Sequence, residues 1–495
     1  MQYPGFIGGT YVAQSPISDQ EETINWYVER TESESATSQA QLYPTPGVTS
    51  LSTHTSQPGR AHFEHDGVEY AVIGTDFGTI NSVGGFTAIG TVAIDANPAT
   101  ICSNGDGGGE IFITSGGNGY LYDTGTAVFS TIAALSGKAT MGDQLDGYFL
   151  AFDANTSTFY VSDLLDGTTW DATQFAQRST QADPWVTMRV NPANRYIYLI
   201  GSQTGEVWYD SGAAPFPFAL NPAGSIPYGC AAPFSMEVCD GSMTWLGANA
   251  SGTGMVLTAA GLTPQIISTF PLEYALNQFS NISDGIGDTY RDLGHTFYLL
   301  TLPTAGLTLA YDFNTPSPHN WAKRGTWISE NSAFTYWRAA YHAYAYGQHR
   351  MLDLQTGDIY HMSSAIYTDV DSRELRRVRR APSPQFELQR LNFSAMELDL
   401  ETGLGNAAAP GDDPQVMLRY SDDGGKTWGN EIMAAAGKLG EYSTRVRWTR
   451  LGTGRRRVFE VSVSDPIPWR IINAYLTMLQ PPKRASQVQQ AQWSG

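Results

Sequence analysis

A chain of 495 residues with 51 Gly, 26 Tyr and only 16% charged residues is long enough for a large core or two domains. It lacks the Ala-, Glu-, Lys- and Leu-rich runs that a helical bundle requires. No run of about 18 apolar residues is present to span a membrane as a helix, the three cysteines (Cys102, Cys230, Cys239) make no disulfide framework, and a net charge of −19 disfavours wrapping a nucleic acid.

The N-terminus, Met1-Gln2-Tyr3-Pro4-Gly5-Phe6, has neither the charged nor the apolar region of a secretory signal, which predicts a chain that stays in the cytoplasm of the cell that makes it. Residues 1–56 carry Gly8-Gly9, a polar stretch at 32–38 and Tyr43-Pro44-Thr45-Pro46-Gly47. They read as an extended leader, either closing a ring or reaching a neighbouring subunit.

Residues 57–370 cycle through units of roughly 35 to 58 residues, each holding short strands separated by tight polar turns. The hairpin pieces are 69–74; 110–114 with 119–123; 148–152 with 158–162; 195–200 with 205–210; 242–246; 295–300 with 307–312; and 341–346 with 357–360. Each is a strand, a turn, and a strand ending in an aromatic residue and often an Asp. An all-β fold follows: a β-propeller of six or seven blades, which removes sheet edges by closing on itself.

At 371–384 the composition changes to a basic linker, with Arg373, Arg376, Arg377, Arg379 and Arg380 ahead of Pro382 and Pro384. Residues 385–480, with alternating stretches at 393–400 and 458–463, predict a small C-terminal β-sandwich, and the Gln-, Ala- and Ser-rich residues 481–495 a flexible tail. Charge divides the same way: residues 371–495 hold 18 Lys and Arg against 14 Asp and Glu, and residues 1–370 hold 11 against 34.

Ser421-Asp422-Asp423-Gly424-Gly425-Lys426-Thr427-Trp428 fits the Asp-box pattern S-x-D-x-G-x-T-W. In it Ser421 and Asp423 satisfy turn amides, Gly425 permits positive φ, Thr427 adds a hydroxyl and Trp428 packs the turn onto its sheet. That is a structural staple, not a catalytic centre. A sialidase would need an arginine cluster and a Tyr paired with an acid, and other glycosidases two placed carboxylates. Asp143, Asp146 and Asp166 read instead as turn acids. His62-Phe63-Glu64-His65 reads as a turn, and His342 and His349 lack ligand spacing, so no metal is expected. The Gly-rich segment 104–109 lacks the Lys-Ser/Thr ending of a phosphate loop and reads as a plain loop. Arg445, Arg447, Arg450, Arg455, Arg456 and Arg457, on alternating strands, read either as a solvated sheet face or as a docking surface for an acidic partner, ahead of nucleic-acid contact.

Ile24-Asn25-Trp26-Tyr27 followed by Pro46-Gly47, Arg447-Trp448-Thr449-Arg450-Leu451-Gly452 leading into Arg455-Arg456-Arg457, and Ser464-Asp465-Pro466-Ile467 stand in the order found in one family. With the Ser-Asp-Asp-Gly-Gly turn, the chain resembles the packaged-DNA stabilisation proteins, tail hubs of short-tailed bacteriophages. The resemblance implies a virion structural protein without cofactor or catalytic residues, made in the bacterial cytoplasm. It further implies a homohexameric ring below the portal and adaptor, contacts to a plug or needle and to tail fibres or spikes, and DNA passing without specific binding. The rival expectation is a glycan-binding or glycan-active propeller of the sialidase kind.

Overall fold

Tyr70, Ala71, Val72 and Ile73 are consecutive and each at most 4% exposed; a strand covered on both faces must lie between two sheets. The computed structural model describes residues 1–479 other than 16, 34–37, 106, 179, 250, 253, 318 and 385–388. The expected tail at 481–495 lies outside the described residues.

Seven antiparallel blades follow in chain order. Their first strands are Gly59–His65, Thr100–Ser103, Met141–Leu145, Trp185–Asn191, Gly229–Cys230, Ile286–Asp292 and Ala339–Ala345. Seven is one of the two counts the repeats allowed. One apolar layer separates each neighbouring pair of blades. The layer joining Ile73 and Ile80 of blade 1 to Leu352 and Ile359 of blade 7 closes the ring. Tight two-residue turns with both φ positive join first to second strands, as at Asp66-Gly67 (51°, 76°) and Asp146-Gly147 (55°, 86°), the hairpin geometry that matches strand twist.

The leader does not stand apart. Gly47–Thr53 pairs with Asp358–Ser363 as the outer strand of blade 7, so the open choice for the leader resolves to ring closure. Three further leader strands enter the sandwich. One of its sheets consists of Trp26–Arg30, Ala40–Pro44, Ile471–Leu479, Leu391–Leu400 and Val446–Gly454. The other consists of Gln20–Ile24, Arg377–Arg380, Val458–Val463, Gln415–Ser421 and Ile432–Ala435. Between them lie Trp26, Leu42, Phe393, Met396, Val416, Phe459 and Trp469. The second sheet does not stop at the sandwich: Ile24 pairs in parallel with Lys323 of blade 6, and one ten-stranded sheet runs through both parts.

The expected basic linker is therefore corrected. Arg377–Arg380 is an interior strand of that sheet, and Arg377 and Arg379 are 0% exposed. Composition signalled solvent because the acidic partners lie from 55 to more than 350 residues away, as Glu431 does from Arg376 and Glu21 from Arg379. With the leader counted where it folds, residues 1–46 and 371–495 hold 19 Lys and Arg against 20 Asp and Glu, while residues 47–370 hold 10 against 28. The basic excess of the C-terminal part is largely consumed by folding, and the propeller carries the acid.

Candidate functional site

The junction between propeller and sandwich turns on one residue. Asn25 separates Gln20–Ile24 from Trp26–Arg30, two strands that belong to opposite sheets, and it makes the turn with φ of 58°. Asn tolerates this left-handed region better than other side chains with a Cβ. Its Nδ2 donates to the carbonyls of Gly325 and Arg376, both at 2.8 Å, and its Oδ1 accepts the Gly325 N–H at 3.0 Å. Its own carbonyl accepts Thr45 Oγ1 at 3.0 Å. Asn25 is 0% exposed, so blade 6, the sandwich and the leader meet at a single amide. The flanking motif residues divide accordingly: Trp26 enters the sandwich core and Tyr27 the layer between blades 6 and 7. At the far end of the leader hairpin the Pro46 carbonyl accepts Arg324 Nη2 at 2.9 Å. A Cβ on Gly47 would stand 2.4 Å from the Ile366 carbonyl oxygen.

On one face of the continuous sheet the charges alternate strand by strand. Lys323 of blade 6 pairs with Glu22, Glu22 with Arg380 at 2.8 Å, Arg380 with Glu460 at 2.8 Å, and Glu460 with Arg419 at 2.5 Å. Glu460 is 1% exposed. Burial pushes the Glu22 carboxyl up, but Lys323 and Arg380 outweigh it and hold it at about 2. Cross-strand opposite charges stabilise a sheet, and here they run from propeller to sandwich. Arg376 extends the row, pairing with Glu431 and stacking on Trp327 at 4.5 Å.

The Asp-box closes over this row. Ser421 Oγ donates to Asp423 Oδ1 at 2.6 Å and accepts the Gly425 N–H at 2.8 Å. Asp423 Oδ1 accepts the N–H groups of Lys426 and Thr427, each at 2.9 Å, and Oδ2 accepts Thr427 Oγ1 at 2.6 Å. The hydroxyls of Ser421 and Thr427 hold the Asp423 carboxyl well below its ordinary range. Trp428 Nε1 donates to the Gly425 carbonyl at 3.1 Å, and its ring lies 4.9 Å from both Arg380 and Arg419. The turn thus pins two arginines of the ladder. A shorter version of the same chemistry, missed in the sequence, occurs in blade 3: Thr169 Oγ1 donates to Asp166 at 3.0 Å and Trp170 Nε1 to the Gly167 carbonyl at 2.7 Å.

The predicted docking arginines separate. Arg457 is 2% exposed, forks onto Asp422 at 2.8 and 2.7 Å and stacks on Tyr420 at 4.0 Å; it belongs to the interior and leaves the docking set. Arg445 is exposed and bidentate to Glu397, both bonds 2.7 Å, with Arg447 beside the same carboxylate at 4.0 Å. Arg450 and Arg455 are exposed and Arg456 half-buried. Strict alternation fails here, because the sheet register shifts between Phe393 and Ala395 and Arg450 takes φ of 60°, turning its side chain outward next to Thr449.

Asp143 and the His62–His65 segment are also corrected: both lie in first strands lining the bore, in blades 3 and 1. Asp143 Oδ2 accepts the Val190 N–H of the next blade at 2.8 Å, and Asp288 accepts the His342 N–H at 3.0 Å in the same way. Each follows a glycine, Gly142 or Gly287, a repeat that local reading overlooked. Burial raises Asp143, and it raises Asp288 to about 7. Arg189 bridges Glu237 at 2.8 Å and Asp143 at 3.7 Å. His62 sits between Glu69 and the Tyr341 carbonyl, both at 2.7 Å. His342 and His349 are 2.8 Å apart, and burial pushes His342 down to about 3. Among the described residues no group of three or more His, Cys, Asp or Glu could hold a metal ion, and the three cysteines are buried and free. The bore holds two cavities of about 380 and 480 Å³, with Pro98, Pro233, Phe234, Ile286 and Tyr341 common to the walls of both.

Residues 20–367 match the family described as Bacteriophage P22 Gp10, beta-propeller, and residues 377–478 the one described as Bacteriophage P22 Gp10, beta-sandwich. The chain belongs to the bacteriophage P22 Gp10 family of phage stabilisation proteins. Family membership makes it a structural component of the phage particle. The boundary between the two family matches falls beside Arg377–Arg380, the strand paired with Gln20–Ile24, on which propeller and sandwich share their sheet. No curated protein matches the chain. Solved structures resemble it only distantly. A chain of the mitotic checkpoint complex is 8% identical with a TM-score of 0.36, covering 60% of this chain and 85% of its own. The designed Ika8 protein is 8% identical with a TM-score of 0.38, covering 69% and 99%. An exo-beta-1,3-galactanase from Phanerochaete chrysosporium is 8% identical with a TM-score of 0.27, covering 84% and 95%. At these values none informs function.

Proposed function

We propose that this protein is a tail hub that assembles as a homohexameric ring below the portal and adaptor, helps close the DNA channel, and carries the plug or needle and the fibres or spikes. The observation that supports this best is the fusion of propeller and sandwich through one ten-stranded sheet, within a family of phage structural proteins. A part that resists the pressure of a packaged genome gains from two domains that cannot hinge, and weak contacts repeated round a ring add up. DNA travels along the axis between copies of the ring. A propeller with 28 Asp and Glu against 10 Lys and Arg repels phosphate, which suits sliding without binding. Arg445, Arg447, Arg450, Arg455 and Arg456 form the remaining basic face for docking onto an acidic neighbour. The protein acts through contact surfaces, with no cofactor and no catalytic step.

The test is to delete the gene from the producing phage and measure the DNA retained in released particles. Heads that package normally and then lose their DNA are expected. Stable, DNA-filled particles would place the protein in a fibre or receptor-binding role instead.

A further inference from the structure

Two arginines behind Asn25 are buried without an ion pair among the described residues. Arg377 is 0% and Arg324 2% exposed. Arg377 donates only Nη1, to the Leu375 carbonyl at 3.3 Å, and its Nε and Nη2 have no partner. Arg324 donates Nη2 to the Pro46 carbonyl at 2.9 Å and Nη1 to Tyr290 Oη at 3.5 Å, and its Nε has no partner. Their neighbours on the same strands are different: Arg379 has Glu21, Arg380 has Glu22 and Glu460, and Lys323 has Glu22. Among the described residues neither Arg324 nor Arg377 forms an ion pair. The walls are aromatic, with Arg324 stacked 3.9 Å over Trp337 and Arg377 5.8 Å from Trp26.

The charge count is also one short. Asp369, 2% exposed, is the one carboxylate that acts on both guanidinium groups; its Oδ1 accepts Trp337 Nε1 at 2.9 Å, and its Oδ2 is within hydrogen-bond reach of neither arginine. Burial and the neighbouring Arg324 push Arg377 down to about 9, so it stays charged at neutral pH. Water could accept the free N–H groups but could not offset the second charge. A buried ion without an opposite charge is strongly unfavourable, and hydrogen bonds from a guanidinium to an anion are the strong kind.

We propose that a chloride-sized monovalent anion binds between Arg324 and Arg377, accepting hydrogen bonds from Nε and Nη2 of Arg377 and from Nε of Arg324. The ion completes the joint between propeller and sandwich. Its aromatic walls favour a small, weakly hydrated ion over a carboxylate or phosphate, which would bring more charge and need more donors.

Crystals of the unmodified protein soaked in sodium bromide test this directly. An anomalous peak within hydrogen-bond reach of both guanidinium groups is expected, and its absence overturns the proposal. In solution, replacing gluconate by chloride at fixed ionic strength should raise the thermal midpoint saturably by about 1 to 3 °C, the size a single site gives in a chain this long. Arg377→Met should flatten that dependence. A wild-type midpoint equal in both salts also refutes the site, and should the variant fail to fold, the bromide measurement still decides.

Discussion

Asn25→Ala tests whether propeller and sandwich meet at one amide. The substitution removes three side-chain hydrogen bonds and leaves the Gly325 N–H and the Gly325 and Arg376 carbonyls without them in a site that is 0% exposed. Each orphaned buried group costs about 1 to 3 kcal/mol, part of it recovered by relaxation. Alanine at φ of 58° adds about 1 kcal/mol that asparagine largely avoids. The loss should be on the order of 4 kcal/mol. Unfolding entropy of about 2 cal/mol/K per residue turns that into about 4 °C in thermal midpoint for the whole chain. Urea denaturation of wild type, Asn25→Ala and Asn25→Gly separates the contributions, because glycine restores the left-handed conformation but not the hydrogen bonds. Asn25→Gly should recover only about 1 kcal/mol of the loss. Asn25→Ala within about 1 kcal/mol of wild type would falsify the junction as described.

Glu460→Leu should destabilise by about 3 kcal/mol, because it leaves Arg419 without its carboxylate and Arg380 with Glu22 alone, and calorimetry should show the lowered midpoint. Glu22, held at about 2 against an ordinary value near 4.5, contributes stability that is complete above pH of about 4.5 and is lost as the pH falls toward 2; Glu22→Gln should flatten that acid limb in urea titrations. His295 behaves oppositely: burial lowers it, but Asp312 and Glu29, both at 2.6 Å, outweigh burial and raise it. Its stabilisation is complete below pH of about 6.5 and fades as the pH rises through the raised value, so wild type should lose more stability than His295→Gln between pH 6 and pH 9. Arg450→Glu with Arg455→Glu should leave the thermal midpoint unchanged while weakening assembly in sedimentation, whereas Arg457→Ala should lower the midpoint by about 2 to 4 °C; a fall in midpoint for the first pair would contradict their exposed placement.

The blades were legible because each is built from residues close in sequence: a strand such as Val68–Ile73 and its partner Asp76–Ile80 are joined by a short turn, and local pattern reports local pairing. What escaped notice pairs across the length of the chain. Leu42 meets Ile471, Ser50 meets Tyr360 and Glu22 meets Arg380, and no periodicity within a window contains both members. Arg376, Arg377, Arg379 and Arg380 were misread for the same reason, since a run of arginines looks solvated until Glu21, Glu22, Glu431 and Glu460 are brought beside it. The Asp-box is legible as a turn because its hydrogen bonds are internal, whereas its role over Arg380 and Arg419 depends on the distant pairing. Asp143 and Asp288 each follow a glycine in the first strand of a blade and bond to the next, but the pair alone is no signal, since Gly357-Asp358 opens a third strand.

The path of the leader has a consequence for how the molecule reaches its working form. Propeller closure needs Gly47–Thr53 against Asp358–Ser363, and the sandwich needs Trp26–Arg30 and Ala40–Pro44 beside Ile471–Leu479. A strand that must wait for a partner more than 300 residues away forms late, because loop closure is costly before distant contacts reward it. The final blade therefore completes once residues up to 363 are available, the sandwich only when residues up to 479 are, and Asn25 can lock the two together only then. A chain made only to residue 363 can close the propeller but holds only the leader strands of the sandwich, so Gln20–Ile24, beside Lys323 on one edge, gains Arg377–Arg380 on the other last.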